Sequence, residues 1–259
     1  MENPTPNSIY GPVASWRLGK SLGVDLLCVD SICSFECVYC QLGKINRVTT
    51  KRDIFVSSEK VLKDLENSAW KAADVITFSG SGEPTLAENL GEVIGKIKDI
   101  TGKPVIVLTN STLLNLPEVR REISQADKIF CKLDAWSDEI LHRIDRPEKS
   151  ISLESIVSGI RLLRARFEGF LAIQTMILRP LKDFEIEKFA EILRHIKPDE
   201  VQLNLPTRPV PHEYFVETRG NAVEFKKEFT KLKTISKDEL EIIRLKLSSI
   251  SDSLIITRI

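Results

Sequence analysis

Six times along the chain a short, nearly continuous apolar run gives way to a segment of helical periodicity, and few architectures accept that rhythm. The runs are GVDLLCV (23–29), DVITFSG (74–80), KPVIVLTN (103–110), ADKIFCKLDA (126–135), FLAIQTMIL (170–178) and DEVQLNL (199–205). Between them, SSEKVLKDLENSAW (57–70) offers Ser57 and Ser58 as N-caps, and LPEVRREISQ (116–125) opens on Pro117. Further helices are expected from SGEPTL through about residue 100 and in SDEILHRI. In a longer one Leu153, Ile156, Ile160 and Leu163 share a face, as do Ile186, Phe189, Leu193 and Ile196 in 183–196. Apolar strands alternating with helices form parallel sheets buried on both faces. The pattern predicts an α/β fold, a partial parallel (β/α)6 barrel. At 259 residues and 42% hydrophobic, the chain can bury one large core. The expected division is an N-terminal segment (1–22), the barrel (23–215) and a C-terminal helical extension (216–259), with charged helices from about 222 to 248.

Lys plus Arg equals Asp plus Glu at 37 each, so the formal net charge is zero. That balance argues against coating nucleic acid by bulk charge, while leaving room for a local basic patch. No run of about 18 apolar residues and no basic-then-apolar leader occurs, so a soluble, cytoplasmic protein with no membrane span, and a monomer, is expected. Five cysteines, three of them clustered, do not read as a disulfide framework. In a reducing compartment they point to metal or redox chemistry.

The cluster is SICSFECVYCQLG (31–43), directly after the first expected strand, and it holds Cys33, Cys37 and Cys40. Structural zinc sites take four ligands, usually from two CxxC-type pairs. Here one C-x3-C-x2-C stands without a second pair: Cys28 falls inside the first run, Cys131 is far downstream, and His142, His195 and His212 are scattered. A zinc ion would need a ligand delivered by folding. Three thiolates can instead hold a 4Fe–4S cluster by three irons and leave the fourth open to a small molecule, although four cysteines are commoner. In a parallel barrel the chemistry gathers on loops at the C-terminal strand ends. The cysteine loop, GSGEP, TN and LDA end the first four strands in turn.

The C-x3-C-x2-C triplet with Tyr39 before its last cysteine resembles the radical S-adenosylmethionine (radical SAM) superfamily. The resemblance implies a radical SAM barrel, a 4Fe–4S cluster on Cys33, Cys37 and Cys40, and S-adenosylmethionine (SAM) on the open iron. It also implies reductive cleavage of SAM to a 5′-deoxyadenosyl radical that abstracts hydrogen from a substrate, and a reductant such as flavodoxin or ferredoxin. Gly80 precedes Ser81-Gly82-Glu83-Pro84, which resembles the family's GGEP element with serine in first position; there a backbone edge and a side chain meet the cofactor's amino group. Glycine permits close backbone approach, and Glu83 can accept from an ammonium. Asn110, Ser111, Lys132 and Asp134 lie where the family places contacts to the ribose and carboxylate, and Gln174 matches a polar position in an apolar strand. The plainer readings are a turn at Pro84 and a helix cap at Asp134.

YGPVASWRLGKSLGVD, ITFSGSGEPTL, LTNSTLL, KLDAWSDEILHRIDRP and VQLNLPTRP together resemble a radical SAM subgroup similar to the wyosine-synthesis enzymes of archaeal tRNA. The chain departs from that subgroup at Trp16 and at Gln174, and shows Asp145 where the wyosine enzymes tend to show it. With only Cys28 and Cys131 spare, both expected as core thiols, a second three-thiolate cluster is not expected. Candidates for substrate contact are Arg17, Arg146, Arg208, His212 and Tyr214; Arg208 and His212 follow the sixth strand and are the catalytic candidates. The run 44–52 (KINRVTTKR) reads as a solvated loop, with phosphate contact as its alternative. Three functions compete: a radical SAM enzyme acting on a nucleotide or tRNA base, one acting on a protein in the manner of glycyl-radical activating enzymes, and a non-catalytic zinc or iron–sulfur module.

Overall fold

The structure, a computed structural model, describes residues 6–214, 219 and 228–257. Its main sheet has eight strands arranged in chain order. β1 (Ile9–Ser15) and β2 (Gly19–Val24) form an antiparallel hairpin at one edge. β3 (Val75–Phe78), β4 (Val105–Thr109), β5 (Lys128–Lys132), β6 (Phe170–Met176), β7 (Glu200–Asn204) and β8 (Leu254–Thr257) follow, each parallel to its predecessor.

Helices fill the crossovers. α1 (Ser58–Glu66), α2 (Leu90–Thr101) and α3 (Pro117–Ile123) precede β3, β4 and β5; α4 (Asp138–Ile144) and α5 (Leu153–Arg164) precede β6. α6 (Asp183–Ile196) precedes β7 and α7 (Lys237–Ile250) precedes β8. Their starts follow local chemistry. Ser57 accepts from the Lys60 amide at 3.3 Å, Ser137 from Ile140 at 3.4 Å, and Ser152 and Ser155 cap each other's backbone.

Alternation along the strands sorts side chains to two faces. Leu22, Ile76, Phe78, Val105, Val107, Ile129, Ile173 and Val201 are fully buried against the helices. The opposite positions, among them Ser21, Thr77, Ser79, Lys132, Gln174 and Asn204, line a cavity in the concave face of the partial barrel. The turn between β1 and β2 reaches across the open side: Arg17 donates to Gln202 on β7. Ile106, Phe130 and Ala172 make a separate small apolar cluster, with Leu18, Val75, Leu108 and Phe170 packed against it.

The structure moves three expected boundaries. The first strand ends at Val24, and the chain turns over residues 25–29, of which 25–28 are buried and Val29 is exposed; burial under a loop mimics a strand's apolar run. The N-terminal segment is part of the sheet from residue 9 onward. The C-terminal extension is not wholly helical, since α7 leads into β8, which adds a seventh parallel strand. The expected helix positions from 222 to 227 lie outside the described residues.

Candidate active site

The cysteine loop leaves β2 through the buried turn and runs over the mouth of the cavity. Its first part, Ile32–Cys33, pairs in parallel with Arg47–Val48. Its middle is hung on the segment after α4: the amides of Glu36 and Val38 donate to the carbonyls of Asp145 and Ile144 at 3.0 and 2.9 Å. Its end is a tight turn, with Cys40 N–H on Cys37 O at 3.0 Å and Gly43 N–H on Cys40 O at 3.1 Å. Two other segments of the chain and the loop's own turn thus seat the three thiols.

The loop after β3 is wedged beneath them. Gly82 passes so close to the carbonyl of Ile32 that any side chain there would collide with it, and Gly80, at φ 144°, packs against Asp25 in the same way. Asp25 is the organising anion. Its carboxylate accepts from Ser81 N and Oγ at 3.0 and 2.6 Å and pairs with Arg219 at 2.7 Å, at 1% exposure. Within the apolar run 23–29 the pattern does not single out Asp25 as a site residue; its signal is a lone carboxylate among apolar neighbours.

Glu83 turns inward. One carboxylate oxygen accepts from Thr85 N, Thr85 Oγ1 and Thr109 Oγ1 at 3.1, 2.6 and 2.6 Å, and the other from Asn110 N at 2.6 Å. Burial raises its pKa while these four donors oppose the rise. The expected direct contact with a ligand ammonium does not fit this placement: Glu83 ties the β3 loop to the end of β4. Asn110 donates to Ser34 Oγ at 2.8 Å and to Cys33 Sγ at 3.5 Å, so it backs the cysteine loop. Ser111 adopts φ 71° and is buried with Pro84.

A charged knot lies on the other side of the loop. Lys132 pairs with Asp134 at 2.7 Å and with Asp145, and its ammonium stands 4.8 and 5.2 Å from the ring centroids of Phe35 and Tyr39. Tyr39 donates to Asp134, which also accepts from Met176 N at 2.8 Å. Burial pushes the Asp145 carboxyl up to about 7, with Lys132 opposing and Asp134 adding to the rise. One Asp145 oxygen, Oδ2, is buried without a hydrogen-bond partner among the described residues.

The cavity holds about 610 Å³, within the range of about 300–1,000 Å³ usual for small-molecule sites. Cys37, Tyr39, Cys40, Gly80, Gly82, Lys132, Gln174 and Arg208 of the expected residues line it, as does Arg17. Its charged lining residues are Arg17, Lys132, Arg208 and Arg219, with no carboxylate among the described residues. Gln174 bonds Gln202 at 2.9 Å and is in register with Lys132, a polar row across three neighbouring strands of which Lys132 and Gln174 line the cavity. Cys33, Ser81, Glu83, Pro84, Asn110, Ser111 and Asp134 stand behind this lining as supports.

Other expectations are not met. His212 is half exposed on a two-residue ladder, its ring against Thr230 at 2.9 Å and Glu228 at 3.5 Å, and it does not line the cavity. The loop after β7 folds that histidine outward while Arg208 faces in and bonds Gln41. Arg146 lies at φ 45° within the backbone contacts that hold the cysteine loop, not in the cavity. Tyr214 donates to Ser81 at 2.9 Å and is likewise a support. The run 44–52 is not simply solvated: Ile45 is buried, and Arg52 pairs with Glu122 and donates to the carbonyls of Thr85 and Ala87, both at 3.0 Å. Cys28 and Cys131 are core thiols, raised by burial to about 11 and about 12.

The three loop thiols suit an iron–sulfur cluster better than a single ion. Among the described residues, no three Cys, His, Asp or Glu side chains gather closely enough to hold one metal ion. Zinc needs its ligands within about 2.0–2.3 Å of one point, whereas a 4Fe–4S cluster spreads its thiolates over a wider body. Burial raises the pKa of all three thiols, Cys33 to about 12, so binding must displace protons that the protein otherwise retains.

Residues 29–193 match the model of the radical SAM superfamily. The UPF0026 protein slr1464 of Synechocystis sp. is 51% identical over 85% of this chain and 83% of its own length. The UPF0026 protein MJ1312 of Methanocaldococcus jannaschii is 37% identical over 79% of this chain, which spans 65% of that relative. Among solved structures, a radical SAM methyltransferase from Sphaerobacter thermophilus superposes with a TM-score of 0.63 at 15% identity, over 92% of this chain and 65% of that one; this likeness concerns the fold. No helix among the described residues is long and apolar enough to cross a membrane. The chain therefore belongs to the radical SAM superfamily, whose enzymes pair an iron–sulfur cluster with S-adenosylmethionine, and is a relative of the UPF0026 proteins.

Proposed function

We propose that Cys33, Cys37 and Cys40 hold a 4Fe–4S cluster over the cavity, that SAM enters beside it, and that the substrate is a nucleotide or RNA base. When bound, the two cofactors supply a one-electron cleavage that ends in hydrogen abstraction. The chain's own part is to position and to exclude water. Gly80 and Gly82 present backbone to the cavity with no side chain in the way. Lys132, held by Asp134 and Asp145, keeps a fixed positive charge beside Tyr39, suited to a carboxylate. Arg17 and Arg208 offer guanidinium groups to the remaining space.

The observation that carries the reading is the cavity itself. Two of the three loop cysteines line it, together with Arg17 and Arg208, and with Lys132 and Arg219, whose charges are met behind the lining by Asp134 and Asp145 and by Asp25. A phosphate-bearing substrate fits that lining better than a neutral one.

The test uses anaerobically reconstituted protein with dithionite and SAM, assayed for 5′-deoxyadenosine with RNA and protein fractions added separately. Release stimulated by the RNA or nucleotide fraction supports the reading. Stimulation by the protein fraction alone moves the substrate to a polypeptide, and no release under any condition overturns the enzyme chemistry.

A further inference from the structure

Ser81 stands where the family's GGEP element has glycine, and its surroundings show what the added hydroxyl does. The residue is fully buried, and its polar atoms reach three different segments of the chain. Its amide and Oγ donate to the Asp25 carboxylate, just past β2, at 3.0 and 2.6 Å. Its carbonyl accepts from Ile32 N–H at 3.0 Å, next to Cys33. Its Oγ accepts from the Tyr214 hydroxyl, beyond β7, at 2.9 Å. A glycine could make only the two backbone bonds. Gly80 and Gly82 flank this node and line the cavity, whereas Ser81 does not, so whatever fixes Ser81 fixes the exposed backbone on both sides of it.

Tyr214 ends a segment that crosses from the cysteine loop to this edge. At its start Arg208 donates to Gln41 and lines the cavity. In its middle the carbonyls of Pro211 and Glu213 lie so close to Gly43, at φ 78°, that no side chain fits there. At its end Tyr214 holds Ser81, and Arg219 returns to pair with Asp25 at 2.7 Å, its other terminal nitrogen on the Asn7 carbonyl at 2.7 Å. Two hydroxyls therefore run in series, Tyr214 donating to Ser81 and Ser81 to a buried carboxylate, and donors aligned in this way reinforce one another. One end of the series is the backbone beside the cavity; the other is the segment that carries Arg208.

We propose that Ser81 and Tyr214 are positioning residues for SAM: they hold the Gly80–Gly82 edge in place from behind, and they make the affinity for SAM depend on how segment 208–214 is seated. Neither side chain lines the cavity, so each acts through the backbone it fixes. Ser81 carries the effect of both, since the Tyr214 hydroxyl reaches the edge by way of the Ser81 hydroxyl. The proposal rests on the reading that SAM meets the Gly80–Gly82 backbone.

The experiment uses the reconstituted, cluster-bearing protein with SAM as the probe, its Kd read by anaerobic equilibrium dialysis. Tyr214→Phe and Ser81→Ala should each weaken SAM binding about threefold to tenfold, the size of effect expected for a hydrogen bond lost from a buried network. In the double variant Tyr214→Phe should add nothing to Ser81→Ala, because its route to the edge runs through that hydroxyl. Amide hydrogen exchange on the cofactor-free chain gives a second reading: in Tyr214→Phe the peptide over 79–83 should exchange faster while one over α5 keeps its rate. Tyr214→Phe removes a single oxygen from a half-buried ring, so the test holds even where Ser81→Ala loads its cluster poorly. Wild-type SAM affinity in both single variants, even with lowered urea stability, would reduce the two residues to structural supports and overturn this proposal alone. Additive losses in the double variant would overturn it as well. Absence of SAM binding by the wild type would overturn both the proposal and the cofactor placement beneath it.

Discussion

Each strand from β2 to β7 offers one face to the helices and one to the cavity, and neighbouring residues obey opposite rules. On β6, Ile173 is fully buried among core side chains, while Gln174 beside it bonds Gln202 and lines the cavity. On β5, Cys131 is a core thiol and Lys132 anchors a charged knot. Stability resides on one face and chemistry on the other, at one-residue spacing. The cysteines show the same division, with three on a loop above the cavity and two in the core.

The sharpest way to break this comparison is to remove thiols from both groups. Cys33→Ala, Cys37→Ala and Cys40→Ala should each abolish the visible absorbance of the reconstituted cluster and all 5′-deoxyadenosine release. Cys28→Ala and Cys131→Ala should keep both and lose only stability, about 1 kcal/mol for a small buried side chain. Loss of the cluster in Cys131→Ala would place that thiol on the wrong side of the division.

Next in size is the pair on β6. Ile173→Ala leaves a void in a close-packed core and should cost about 2–5 kcal/mol in urea unfolding. Gln174→Ala should cost less than about 1 kcal/mol, while raising the substrate KM, because its side chain lines the cavity. Equal stability losses would mean that the cavity floor is as tightly packed as the core.

Gly82→Ala tests the contact between the two loops. The added methyl meets the Ile32 carbonyl, and the expected cost is about 1–3 kcal/mol, the range for overpacking. The cluster yield on reconstitution should fall further than stability does, since the strain is delivered to the strand carrying Cys33.

How far these features were legible depends on whether their causes are local. Apolar runs and helix periodicity are local, so the six β/α units were readable, as was the cysteine loop's place after the first of them. β1 was not: it contains Gly11 and Pro12, contributes an edge, and gains its partner only once Gly19–Val24 lies beside it. β8 is a four-residue strand whose pairing depends on an exposed β7 edge that no sequence window contains. The direction of Glu83 is equally non-local. Its donors come from Thr109 and Asn110 on another strand, so the motif gave its position in the chain and not which way it faces. His212 was misplaced for the same reason, by a ladder formed with residues 229–230.

The smallest effect lies on the outer surface, at the start of α6. Arg179 donates to Glu185 through both terminal nitrogens, and the Lys182 amide adds a third bond at 2.9 Å. The Arg179 bond holds the Glu185 carboxyl at about 2, below its ordinary 4.5. A depressed carboxylate stabilises the fold above its unfolded pKa, so this contribution is intact above about pH 4.5 and disappears as pH falls towards 2. Arg179 is 39% exposed, and solvent screening limits the gain to about 1 kcal/mol. Arg179→Met should therefore lower stability by about that much at neutral pH and flatten the acid limb of a pH–stability curve between 4.5 and 2. Cluster absorbance and SAM cleavage should be unchanged, because neither residue lines the cavity. A change in either would show that the loop from β6 to α6 couples to the concave face, and that the separation between the two faces of the sheet leaks at its rim.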